Sequence, residues 1–103
     1  MHTAPQTPRA WSPNACVGKT VSHLLLDRRT TKKELGAALG ITGVAIGRKV
    51  RGDIGWSLSD LIHVADFFTI DVADLLPIQN PDWKEGDDEQ FRWLPAPVKP
   101  PKT

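Results

Sequence analysis

The sequence predicts an all-α fold: a compact bundle of five short helices with a flexible N-terminal arm and a proline-rich C-terminal tail. Three observations carry this expectation. Apolar residues recur at helical spacing from Val17 to Leu76, and no segment alternates as a strand does. Residues able to cap a helix precede most of the periodic runs. Six of the nine prolines fall at or after Pro77, where the periodicity stops. The expected boundaries are residues 1–15 for the arm, 16–77 for the helical domain and 78–103 for the tail.

Val17, Val21, Leu24 and Leu25 follow i, i+4, i+7, i+8 spacing, so a first helix runs from about Val17 to about Arg29. Arg28 and Arg29 fall in its last turn, where cations complement the helix dipole. Thr31 and Glu34 form a Thr-x-x-Glu capping box that opens helix two, whose apolar face is Leu35, Ala38 and Leu39. Gly40 then allows the left-handed residue that ends a helix. Thr42 caps a third helix, which runs to about Arg51 and ends at Gly52. Ser57 and Asp60 open the fourth, with Trp56 and Leu61 at the hydrophobic-staple positions. Its expected inner face is Leu58, Leu61, Ile62, Ala65 and Phe68. Asp71 opens a short fifth helix, with Ile70 and Leu75 as its staple pair, and Pro77 ends it.

Bulk properties narrow the function classes. At 103 residues the chain has room for one domain plus tails. One cysteine, Cys16, allows no internal disulfide and fits a reducing, cytoplasmic setting. Residues 1–15 contain no apolar stretch of the secretory type, and no run reaches the ~18 apolar residues of a membrane-spanning helix. The net charge is +1, but it is unevenly spread. Residues 17–55 carry eight Lys/Arg against three Asp/Glu, a balance of +5, while residues 56–76 carry four Asp and no cation. A basic face of this kind suits a polyanionic partner.

Two short helices joined by a tight glycine turn, residues 31–52, are the helix-turn-helix arrangement of DNA-binding proteins. On a helical wheel the third helix turns Ile46 and Val50 inward. Val44, Ala45 and Arg48 face outward, with Arg51 at the edge and Gly47 beside them. Arg48 suits the O6 and N7 of guanine, and Val44 or Ala45 a thymine methyl. Thr42, Lys49 and Arg51 are within reach of phosphates or base edges. At the start of helix two, Thr31, Lys32 and Lys33 stand where backbone amides and ammonium groups hold a phosphate. Gly43 and Gly47 each cost roughly 1 kcal/mol relative to alanine within a helix, a cost that close approach to another surface would offset.

The stretches TTKKELGAALGITGVAIGRKVRG and WSLSDLIHVADFFTIDVADLL resemble the Cro and lambda-repressor-like helix-turn-helix family, in its actinobacterial and actinophage form. The resemblance spans about residues 17–77 and rests on Leu35, Gly40, Ile46, Gly52, the Leu61–Ala65 register and Asp74–Leu75–Leu76. It implies an operator-binding domain, usually a homodimer, with a phosphate contact at Lys32 and base readers at Gly43, Val44, Ala45 and Arg48. Two positions depart from the family pattern. Gly36 replaces the usual alanine, and Gly43 offers no side chain at the first reading position. The function implied is a double-stranded-DNA-binding transcriptional regulator, a phage or prophage repressor or Cro-like protein.

An alternative is an antitoxin or another interaction module whose tail binds a protein partner through Trp83, Phe91 and Trp93. Those same aromatics would otherwise pack back on the domain. Gly18–Lys19–Thr20 lacks the glycine five residues earlier that a phosphate-binding loop needs, since Pro13 stands there. No metal-ligand spacing, cofactor motif or catalytic constellation is expected. His63 reads as a packing or surface residue, and Asp60, Asp66, Asp71 and Asp74 as helix-start or solvated carboxylates.

Overall fold

Helix one begins earlier than its apolar pattern. The computed structural model describes residues 12–102, and within them α1 runs Pro13–Asp27. The Ser12 hydroxyl caps it by accepting the Ala15 N–H at 3.1 Å. Pro13 at the first helical position has no N–H to leave unsatisfied. Pro13 and Asn14 are exposed, so this turn carries no apolar signal. Residues 12–15 therefore belong to the helical domain rather than to an arm; residues 1–11 of the expected arm lie outside the described residues. At its other end α1 stops at Asp27, before the arginine pair. Arg28 is the cap and Arg29 takes a left-handed φ of 50°.

α2 spans Lys32–Leu39, α3 Gly43–Arg51 and α4 Leu58–Phe68. Their starts are the expected ones. Thr31–Glu34 and Ser57–Asp60 form reciprocal capping boxes, and the Thr42 hydroxyl accepts the Ala45 N–H at 3.0 Å. Gly40 and Gly52 end α2 and α3 at φ of 75° and 86°.

The fifth expected α-helix does not form. Val72–Leu75 is a single 3₁₀ turn, so there are four α-helices among the described residues. Leu76 is extended (φ −75°, ψ 146°), because the ring of Pro77 disfavours the helical conformation in the residue before it. Four residues between Asp71 and Leu76 are too few to repay α-helix nucleation.

The core takes Val21 and Leu24 from α1, Leu35 from α2, Ile46 from α3, Val64 from α4 and Leu75 from the 3₁₀ turn, all fully buried. Two expected faces are rotated. In α2 the second inward residue is Gly36, and Ala38 is exposed. In α4 the inner face is Leu61, Val64, Ala65 and Phe68, while Leu58 and Ile62 lie at the surface. The sequence of α4 is apolar round much of its circumference, so periodicity alone does not select the buried arc; packing on α2 and the 3₁₀ turn does.

Backbone approach fixes α3. A methyl group on Gly18 of α1 would overlap the carbonyl of Val50 in α3. One on Gly36 would sit 2.6 Å from the Ile41 carbonyl oxygen and 3.0 Å from the Thr42 carbonyl carbon. Both helices therefore meet α3, or the turn leading into it, backbone to side-chain-less backbone. Thr20, next but one to Gly18, is a buried polar residue. Packing thus accounts for Gly18 and Thr20 of the Gly18–Lys19–Thr20 triplet, while Lys19 is exposed.

The tail is built onto the helices. Strands β1 (Ile78–Gln79) and β2 (Trp93–Leu94) pair antiparallel, Ile78 opposite Leu94 and Gln79 opposite Trp93. Residues 95–102 then cross the helical domain as an extended strap. Ala96 is buried and its carbonyl accepts the Thr20 hydroxyl at 2.9 Å. Val98 packs on the core. Arg28 Nη2 donates to the Lys99 carbonyl, and the Lys102 N–H to that of Thr69, each at 2.7 Å. Pro-rich composition cannot form a core of its own, but prolines hold the chain extended in advance, so less conformational entropy is lost on docking. No helix among the described residues is long and apolar enough to cross a membrane.

Urea unfolding tests both sets of contacts. Gly18→Ala is expected to lose about 2–3 kcal/mol through overpacking against backbone. Gly47→Ala is expected to be neutral or up to ~1 kcal/mol more stable, since a methyl there meets only side-chain atoms at 3.6 Å or more. Equal stability of Gly18→Ala and wild type would contradict the α1–α3 contact. Thr20→Val, which leaves the Ala96 carbonyl without its donor, is expected to cost about 1–3 kcal/mol; no loss would mean that the strap does not depend on this bond.

Candidate nucleic-acid interface

The capping residues that start α2 and α3 also bring those two starts together. The Gly43 Cα lies so close to α2 that an added methyl would stand 3.1 Å from the Lys33 amide nitrogen. One turn on, a methyl at Gly47 would be 3.7 Å from Cδ of Lys32 and 3.6 Å from Nη1 of Arg51. The stem of Lys32 and the guanidinium of Arg51 thus both lie over Gly47, which they help to bury. Gly43 faces the α2 backbone, so the close approach that offsets its helix cost is internal; at Gly47 a methyl would meet only the Lys32 and Arg51 side chains at ordinary contact distance, so packing within the fold does not require glycine there.

What α3 leaves outward is Val44, Ala45 and Arg48. Val44 is 76% exposed, Ala45 half-buried and Arg48 exposed. Thr31, Lys32, Lys33, Thr42 and Arg51 are exposed beside them. Arg51 Nε pairs with Asp53 at 3.2 Å, but both side chains are more than half in solvent, so the pair is worth little and does not withhold the cation. Lys32, Lys33 and Arg48 form no ion pair among the described residues.

Lys49 is different. Its Nζ is 2.8 Å from Asp60 Oδ2 and 3.0 Å from the Gly55 carbonyl, and lies 5.8 Å from the centre of the Trp56 ring. Only 13% of the Lys49 side chain and 18% of that of Asp60 reach solvent. Lys49 was expected near phosphates; it is instead a strut between α3 and the start of α4. Asp60 also accepts the Ser57 N–H at 2.9 Å, so one carboxylate caps α4 and anchors α3. Burial would by itself raise the Asp60 pKa, but the hydrogen bonds and charge of Lys49, with those of Ser57, hold it below the ordinary carboxylate value. Glu34, exposed at the α2 cap, is also held low by the backbone N–H and hydroxyl of Thr31.

Arg29 is a further exposed cation beside this face. It takes the left-handed position after α1 and lines a surface cleft with Ser22, Leu26, Thr31 and Lys32. No periodicity marks it, because a left-handed residue that is neither Gly nor Asn leaves no local signature. Its neighbour Arg28 turns inward, 6.0 Å from the Phe68 ring centre and bonded to the strap. The adjacent arginines therefore serve opposite sides of the molecule.

Cys16 is fully buried, and that burial pushes its thiol up to about 11, so it is protonated and inert at neutral pH. In the tail, Arg92 lies 4.6 Å from the Trp83 ring centre and 5.2 Å from that of Trp93, and Trp83 Nε1 donates to the Asp88 carbonyl at 3.0 Å. Both tryptophans and the half-buried Phe91 thus contribute to the tail's own structure. Comparison with protein-family models, characterised proteins and solved structures returned no match.

A carboxylate whose folded pKa is depressed stabilises the fold above its unfolded value, and that stability is lost as pH falls through the folded pKa. Wild type is expected to lose stability relative to Asp60→Asn as pH drops from about 5 to below 4, with a constant difference at higher pH. The measurement is the urea midpoint of both proteins across that range; a pH-independent difference would sink the assignment.

Proposed function

We propose that this protein is a double-stranded DNA-binding transcriptional regulator that reads the major groove with α3. The observation that carries the reading is the outward face of α3. Small and apolar side chains, Val44 and Ala45, stand beside Arg48, a cation with no ion-pair partner among the described residues. Around them lie Lys32, Lys33, Arg51 and the helix-start amides of α2, a surface suited to phosphates on either side of a groove. Such a face is short enough to let a helix sink between phosphate ridges, and the Lys49–Asp60 pair holds its angle against α4.

The resemblance to Cro and lambda-repressor-like domains supports the same reading, and a regulator of that kind acts as a dimer on half-sites about 34 Å apart. Arg48 would fork onto a guanine. Gly43 and Gly47, packed toward α2, contribute proximity rather than readout. Lys49 contributes position rather than contact. Arg29 joins the phosphate-facing cations.

Selection of bound duplexes from a random pool supplies the operator, and two variants then divide the interface. Arg48→Ala is expected to weaken the selected site by about 1–3 kcal/mol and to relax preference at one base pair. Lys32→Ala is expected to weaken all sequences alike and to reduce the salt slope by about 1. Wild-type binding by both variants would remove α3 from the interface.

A further inference from the structure

A shallow cleft of about 510 Å³ lies between α2 and the start of α3, lined by Lys33, Ala37, Ile41, Thr42, Gly43 and Val44. Val44 is the most exposed of the large apolar side chains of α2, α3 and α4 among the described residues. Valine is a poor helix former, and its exposure in water gains nothing. The Thr42 hydroxyl in the cleft already accepts the Ala45 N–H. The surface of the cleft is predominantly apolar, with two polar groups at its edge, the Lys33 ammonium and the Thr42 hydroxyl, which can still donate.

Resting on the reading of α3 as a groove-reading helix, these observations restrict what the cleft recognises. The edges of the base pairs in the major groove present donors, acceptors and one apolar group, the methyl on C5 of a pyrimidine. The apolar part of this surface, Ala37, Ile41 and Val44, has no donor or acceptor to offer a base edge and gains contact only from that methyl. Arg48 follows Val44 by four residues, about 6 Å along the helix, a distance comparable to two base-pair steps of about 3.4 Å. The geometry points to a half-site in which a C5-methylated pyrimidine, seated against Val44 and Ile41, stands within about two steps of a guanine bound by Arg48. The methyl belongs to thymine or to 5-methylcytosine, which present the same group at the same place.

The test uses the full chain and the half-site obtained by selection. Each thymine is replaced singly by deoxyuridine, which removes only the methyl, and each cytosine singly by 5-methylcytosine, which adds it. Affinities are compared at one salt concentration for wild type and Val44→Ser, whose folding is checked by its melting curve. If the source is thymine, one uracil substitution weakens wild type about fourfold, the factor equivalent to burying one methylene-sized group at ~0.8 kcal/mol. If it is methylated cytosine, one methylation tightens binding by a similar factor. In both cases the position lies within two steps of the guanine lost to Arg48→Ala, and Val44→Ser levels the difference to within about twofold.

A specific operator with no methyl-sensitive position overturns the inference, and so does sensitivity that persists in Val44→Ser. Binding without sequence enrichment overturns it while leaving a phosphate-directed DNA contact intact. Absence of any duplex binding overturns the groove-reading role and the inference together.

Discussion

Two glycines set how near α3 comes to its neighbours, and the rest of the molecule is arranged around that approach. Gly18 gives the Val50 carbonyl access to α1, and Gly36 lets the Ile41–Thr42 backbone lie on α2. A side chain at either place would have to displace backbone, which interiors at crystal-like packing density do not absorb locally. With α3 held this close, Ile46 falls into the core and the Gly43–Gly47–Arg51 stripe comes to rest along the start of α2. The outward face is what remains: Val44, Ala45 and Arg48.

The distribution of charge follows from the same arrangement. Residues 17–55 are basic as a block, yet their cations divide by environment. Lys49 and Arg28 turn inward, one to the α4 cap and one to the C-terminal strap. Each is mostly shielded and hydrogen-bonded, so each acts as a tie between elements. Lys19, Arg29, Lys32, Lys33, Arg48 and Arg51 are left exposed. Counting charges along the chain overestimates the cations available to a partner, because it cannot tell a strut from a surface group.

The C-terminal strap shows how a segment without a core of its own becomes ordered. Its carbonyls are satisfied by donors on the helices, Thr20 and Arg28, while its last lysine reaches both the Thr69 carbonyl and, at 2.7 Å, the Asp71 carboxylate. That contact raises the Lys102 pKa, chiefly through the hydrogen bond to Asp71. The acidic hairpin between β1 and β2 is held by Arg92 stacked near two tryptophans.

The sequence by itself determined the features that depend on a few neighbouring residues. The capping boxes at Thr31 and Ser57, the Thr42 cap, and the left-handed ends at Gly40 and Gly52 were all legible, because a cap is a contact across three residues. The outward placement of Val44 and Arg48 was legible too, since Ile46 and Val50 fix the opposite side of a short helix. The helical start at Pro13 was not, because its first turn faces solvent and carries no apolar pattern. Nor was the buried arc of α4, where apolar residues cover more than one face. The inward turn of Lys49, the use of Gly43 against α2, and the docking of residues 95–102 depend on groups far apart in the chain. Those only the tertiary structure decided, because the choice between an exposed cation and a buried strut, or between a free tail and a strap, rests on which distant partner lies within hydrogen-bonding reach.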